Sequence, residues 1–216
     1  MARRQRQMCI RDRYRTYKYG FKMKGITFII LCISLHITAQ ISPNINQYNK
    51  QGKKHGIWKG YHENTQTKRY EGEFNHGTPV GRFTYYAIEG HVSGKVDFIN
   101  DSISSAQMFH DNGSIMAEGK FLNQTKSGKW YIYSRSGYLL NVLHYLNGAL
   151  EGTQYSYYPK FDDYEKVKVM EQYECRGGLK NGVWKEFHKL GTVKAEGHYA
   201  DGTKEGVFTY YFVNGS

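Results

Sequence analysis

The side chains able to do chemistry are nine histidines, three cysteines and 19 acidic residues in a chain of 216. A ligated metal needs His or Cys at short, regular spacing, as in Cys-x-x-Cys or His-x-x-x-His. The histidines, among them His36, His55, His62, His110, His144, His188 and His198, fall at no such spacing. A thiol nucleophile needs a base beside it. Cys175 sits in QYECRGG next to a turn and reads as an inert thiol at a strand end. There is no Gly-x-Ser-x-Gly elbow, and the glycines lack the strand–loop–helix setting of a phosphate-binding loop. Glu71, Glu118 and Glu196 recur at equivalent places, each followed by Gly. An active site is made once rather than copied. Repeated carboxylates point to structure, such as pairing with Lys on the next hairpin. No catalytic residue, metal or cofactor is expected, and the chain reads as a non-enzyme.

What does recur is a frame: Gly, any residue, an aromatic, two residues, an aromatic, and Gly nine positions after the first. It appears as GRFTYYAIEG (81–90), GKWYIYSRSG (128–137), GVWKEFHKLG (182–191) and GVFTYYFVNG (206–215). SSAQMFHDNG (104–113) replaces the first Gly and aromatic, and GIWKGYHENT (56–65) loses the closing Gly. Starts fall at 56, 81, 104, 128, 152, 182 and 206. A period near 24 residues marks a repeat architecture. Eight residues after a closing Gly comes a further aromatic (Phe98, Phe121, Tyr145, Tyr199), and then turns such as Asn147-Gly148 and Asp201-Gly202. Each repeat is therefore expected to be a β-hairpin. A lone hairpin is marginal in water, so neighbours must stack. The first and second aromatics differ in parity. Either both faces of the sheet carry aromatics or a bulge intervenes. The copy starting at Gly152 carries six extra residues within YYPKFDDYEKVKVMEQYECRGG. It reads as a longer hairpin, either a binding loop or a tolerated insertion.

The pattern G-x-W/F-x-x-Y/F, with its following EG-x-Y/F and NG turns, resembles the bacterial variant of the MORN repeat. The resemblance covers residues from about 48 to 216. It implies an all-β, elongated array of antiparallel hairpins forming one curved sheet that serves protein or lipid contacts. Similar bacterial repeat proteins are often labelled antitoxins of toxin–antitoxin pairs. Tyr and Trp are favoured at interface hot spots. The binding candidates are accordingly Trp58, Tyr61, Tyr86, Trp130, Tyr133, Tyr157, Trp184 and Tyr211.

Composition agrees. Tyr numbers 20, Gly 24 and Pro only 3, suiting short strands and tight turns. The net charge of +11 is concentrated at the front. Residues 1–39 hold nine of the 30 basic residues and one of the 19 acidic ones. Residues 40–216 thus carry 21 against 18, a balance of +3, so no nucleic-acid partner is expected. Residues 23–39 read as a signal peptide: Lys24, the apolar run Ile26–Thr38, and Ala39 before the cut at Ala39–Gln40. Residues 1–22 form a basic leader, read as spurious upstream sequence. Residues 40–55 form a short linker and array start, and 56–216 the repeat domain. The chain ends after a half-repeat at Ser216, which reads as a fragment's end. The expectation is a periplasmic or secreted scaffold with a protein partner first, and a glycan or anionic lipid as further candidates.

Overall fold

The computed structural model describes residues 44–159 and 168–215. Residues 1–43, which include the expected leader and signal peptide, residues 160–167 of the expected longer hairpin, and Ser216 lie outside the described residues. Fifteen strands occur among the described residues, and no helix. They are β1 (Gln47–Tyr48), β2 (Lys54–Tyr61), β3 (Lys68–Asn75), β4 (Thr78–Tyr86), β5 (Val92–Phe98), β6 (Ile103–Phe109), β7 (Ile115–Leu122) and β8 (Thr125–Tyr133). They continue as β9 (Leu139–Leu146), β10 (Ala149–Leu150), β11 (Gly152–Tyr157), β12 (Val169–Arg176), β13 (Leu179–Phe187), β14 (Val193–Ala200) and β15 (Thr203–Tyr210). All join one antiparallel sheet in sequence order, with β10 as a short side-pairing to β9. The sheet is open, with β1 and β15 at its edges. This is the hairpin array that the repeat spacing implies.

Two turn types alternate. The closing glycines sit in tight loops, where Gly90 N–H bonds the Ala87 carbonyl at 2.9 Å and Gly137 that of Ser134 at 2.9 Å. Between repeats the chain turns on two residues that both have positive φ, such as Asn147-Gly148 (50° and 85°) and Asp201-Gly202 (45° and 83°). Such turns match the twist of a hairpin. Asn123-Gln124 does the same without glycine, at 48° and 66°.

The opening glycine of the frame is a bulge residue. Across β3 and β4, Glu71 faces Thr84 but Glu73 faces Val80, so Gly72 alone opposes Gly81, Arg82 and Phe83. Gly81 has φ 64°. The same offset recurs at Gly128 and Gly206. A bulge of this kind re-aims the next side chain. The ring two residues on is laid over the glycine of the facing strand. A Cβ added at Gly72, Gly119 or Gly197 would overlap Phe83, Trp130 or Phe208 respectively.

Most of the core is therefore a single row on one face, here called the aromatic face, while Val142 is buried on the other between Tyr131 and Tyr155. Trp130 is fully buried, 0% exposed, and clusters with Ala106 and Ala117. Phe83 meets Phe74 and Phe98 edge-on at 5.1 and 5.3 Å, and Trp130 meets Phe121 at 5.1 Å. Edge-to-face pairs contribute about 0.5–1.5 kcal/mol beyond area burial.

Three copies break the rule and compensate. In the third, Ala106 replaces the ring, Val96 replaces the facing glycine, and the register is unbroken. In the fifth, Gln154 takes the ring's place at 0% exposure. Its Nε2 donates to the Glu151 and Gly152 carbonyls, and its Oε1 accepts from His144 N–H at 2.7 Å. That amide fills a gap in the β9–β11 ladder, where only Tyr155–Val142 and Ser156–Asn141 pair. In the sixth, Tyr173 stands opposite Trp184, and the bulge moves one residue along.

Gly119→Ala should lower stability by about 1–3 kcal/mol, since the Trp130 ring cannot retreat. Gly113→Ala has open space and φ 83°, so it should cost only the backbone term, about 1–2 kcal/mol. Urea midpoints measure both. Space-filling at Gly119 predicts that Trp130→Ala relieves the Gly119→Ala penalty, whereas additive losses would refute it.

Candidate functional site

The parity question resolves as both alternatives at once. Alternation from the bulge places the first aromatic on the aromatic face and the second, three residues on, on the opposite face. That opposite face is polar, and its order comes from side-chain pairs that repeat with the array.

Tyr86 OH donates to Glu71 at 2.5 Å, Tyr133 OH to Glu118 at 2.9 Å and Tyr211 OH to Glu196 at 2.8 Å. The recurring glutamates are thus structural, as their repetition implies. Their constant partner is a tyrosine, with lysine added at Lys68–Glu71 (2.9 Å) and Lys185–Glu196 (3.0 Å). In the third copy, where Phe109 has no hydroxyl, the partner is a cation: Lys95 Nζ lies 5.3 Å from the Phe109 ring. The Tyr86 bond and Lys68 hold the Glu71 carboxyl below its ordinary range. Burial first, and then Glu118, push the Tyr133 phenol up to about 12.

The aromatic face carries its own repeated pairing. Lys54, Lys126, Lys180 and Lys204 each stand two residues before an opening glycine. Their ammonium groups lie 4.5 Å over Trp58, 4.6 Å over Trp130, 4.3 Å over Tyr173 and 4.5 Å over Phe208. Cation–π contacts contribute about 0.5–2 kcal/mol each. The signal K-x-G-x-W/F is present in the sequence, but only the structure shows the lysine folding back over the ring. A third ladder runs along the hairpin ends. His62, His110 and His188 donate Nε2–H to the carbonyls of Tyr86, Tyr133 and Tyr211 at 3.0–3.1 Å. Tyr158 OH does the same to Phe187 at 2.7 Å.

The eight aromatics singled out from the sequence do not form one surface. Trp58, Trp130 and Trp184 belong to the aromatic face, where Trp58 is buried and Trp130 offers no surface at all. Trp184 Nε1–H is held by Glu171 at 2.6 Å. Tyr86, Tyr133 and Tyr211 spend their hydroxyls on glutamates. Tyr61 is 47% exposed, and Tyr157 stacks on Tyr155 at 6.4 Å between centroids.

A concavity of about 700 Å3 lies on the polar face across β4–β8. Arg82, Asp97, Gln107, Glu118, Lys120 and Lys129 border it, with Tyr131 at one side. Arg82 grips Asp97 bidentately at 2.7 and 2.8 Å, and Gln107 donates to Glu118 at 3.1 Å. Apart from Glu118, no sequence signal marked these residues, because they come from five strands. A smaller apolar slot of about 310 Å3 opens beside Ala106, where the ring is missing, between Tyr85, Met108 and Phe121. Among the described residues no three His, Cys, Asp or Glu side chains are placed to share a metal ion.

Residues 180–201 match the family described as MORN repeat variant. The chain carries a MORN repeat. The match spans Lys180, Gly182, Trp184 and the Glu196-Gly197 pair, residue types that recur at matched positions in other copies. Repeats of this family are modules that bind proteins or membranes, not an enzyme family. No curated protein matches the chain.

Cys175 is buried, at the position that Phe74 and Phe121 fill in other copies, and burial pushes its thiol up. It should react with a disulfide reagent far more slowly in the folded chain than in urea; equal rates would place it at the surface. A Glu71→Gln, Tyr86→Phe double-mutant cycle should give a coupling of about 0.5–1.5 kcal/mol. The sign with pH is set. Glu71 contributes above its ordinary value of 4.5 and loses that contribution in acid, whereas Tyr133 contributes below pH 10 and loses it toward about 12. Denaturation of Tyr133→Phe between pH 9 and 12 should show the smaller decline.

Proposed function

We propose that the chain is an exported, non-enzymatic scaffold that holds a protein or glycan partner in the cell envelope. One observation carries the reading. The sheet is open, and its polar face presents a groove of about 700 Å3, within the range of about 300–1,000 Å3 typical of ligand sites. The groove's carboxylates are held by neighbouring side chains, Asp97 by Arg82 and Glu118 by Gln107 and Tyr133, rather than set against a nucleophile. Repetition of the frame supports the same conclusion, since copied residues serve architecture. Export is supported by residues 23–39, whose basic start, short apolar run and small residue at Ala39 match a cleavable signal.

The membrane reading is less well supported. It rests on lysine pairs such as Lys53-Lys54 and Lys166/Lys168, worth about 1 kcal/mol per charge near an anionic surface. Lys54 is engaged: its Nζ donates to Tyr70 OH at 2.9 Å and lies over Trp58 and Phe74. Lys166 lies outside the described residues. An antitoxin role requires a toxin in the same compartment.

Mass spectrometry of cell fractions tests the compartment. A mature chain starting near Gln40 in the periplasm or medium is expected. An intact chain in the cytoplasm would overturn the export reading and favour the antitoxin one.

A further inference from the structure

We propose that the groove across β4–β8 binds an acidic oligosaccharide, one bearing uronate or sulfate groups. The inference rests on the scaffold reading and names its ligand class.

The argument starts from what the groove leaves unsatisfied. Asp97 is clamped by Arg82, and Glu118 accepts from both Gln107 and Tyr133. Each carboxylate still has lone pairs to spare, because a carboxylate offers about four acceptor sites. The Arg82 guanidinium uses two of about five donors on Asp97. Fixed donors and acceptors thus alternate along the groove, held in place by one another. Sugar hydroxyls both donate and accept, so they can meet both kinds. Ser105 and Ser127 add two hydroxyls to the lining.

The charge then selects among sugars. Arg82, Lys120 and Lys129 face Asp97 and Glu118. Lys120 and Lys129 are exposed and have no carboxylate partner among the described residues. The ligand must therefore bring negative charge to that side while donating hydrogen bonds to two carboxylates. An acidic peptide does the first but offers only its backbone N–H groups as donors, whereas a sugar carries several hydroxyl donors on the same ring as its charge. An acidic sugar does both. Tyr131 completes the site. Its ring is half-exposed beside the two lysines, and Tyr155 and Tyr157 lie on the next strand but one. Aromatic faces at the edge of a polar groove suit the apolar side of a pyranose ring.

The test uses the expressed full chain and calorimetry at low and moderate salt. The probes are oligogalacturonate and heparin hexasaccharides, a neutral maltohexaose and a polyglutamate of matched charge. Saturable binding of at least one acidic sugar is expected, weakening as salt rises, with maltohexaose and polyglutamate at least tenfold weaker. The double variant Lys120→Gln, Lys129→Gln should lose tenfold or more. Tyr131→Ala should lose several-fold, and Tyr131→Phe should restore it. Lys204→Gln, on the aromatic face, should leave binding unchanged. The three groove variants must keep the parental urea midpoint, whereas Lys204→Gln, which loses its contact with Phe208, need only stay folded at the assay temperature; where Tyr131→Ala does not keep it, the lysine pair alone decides. Equal affinity for polyglutamate, no affinity for either acidic sugar, or binding indifferent to the lysine pair overturns the proposal. The scaffold reading fails separately. A protein partner recovered from envelope extract equally by the parent and the lysine variant would keep the scaffold and discard the sugar.

Discussion

An aromatic ring laid on a bare glycine of the adjacent strand is the contact on which the structure depends. A single sheet has no second layer to supply a core, so most of its apolar area is buried within one face. Phe83 over Gly72, Trp130 over Gly119 and Phe208 over Gly197 achieve this by letting a large ring lie flat where any side chain would lift it. The bulge at the opening glycine aims the ring, and the facing glycine receives it. Lysine then covers the ring's outer side, at 4.5 Å for Lys54 over Trp58 and 4.6 Å for Lys126 over Trp130. Glycine, ring and ammonium come together as a three-part stack at Trp130 and Phe208, and parts of that stack recur in other copies.

The irregular copies show the same constraint from the other side. Removing the ring requires removing the glycine, as Ala106 and Val96 do together. Replacing the ring with Gln154 is tolerated because its amide takes over hydrogen bonds that the interrupted ladder leaves open. Putting Tyr173 where a glycine belongs shifts the bulge and leaves Cys175 in an aromatic's place. Each change is local, since every hairpin touches only its neighbours.

The polar face has a different logic. Its pairs are charged or charge-assisted and partly exposed, so each adds little stability. They orient rather than bury. That difference divides the molecule into a face that builds the array and a face free to vary in what it presents. The groove across β4–β8 lies beside the copy that lacks its opening glycine and ring, where the repeat is least regular and the surface least dictated by the fold.

Much of the fold was legible because local chemistry repeats. Gly81, Gly128, Gly182 and Gly206 at matched offsets announce positive φ, and Asn147-Gly148 and Asp201-Gly202 announce two-residue turns. Those signals determine strand number, order and antiparallel pairing, since successive hairpins in a short-turn chain have no other neighbour. The identity of Glu71, Glu118 and Glu196 as structural residues was legible for the same reason, though their tyrosine partners, 15 residues on, were not. What only the tertiary structure decided is the assignment of side chains to faces. One bulge residue reverses every side chain beyond it, so Trp130 is sealed while Tyr131, its neighbour in sequence, borders the groove. The groove itself is assembled from five strands, and no spacing along one chain encodes a site that register alone brings together.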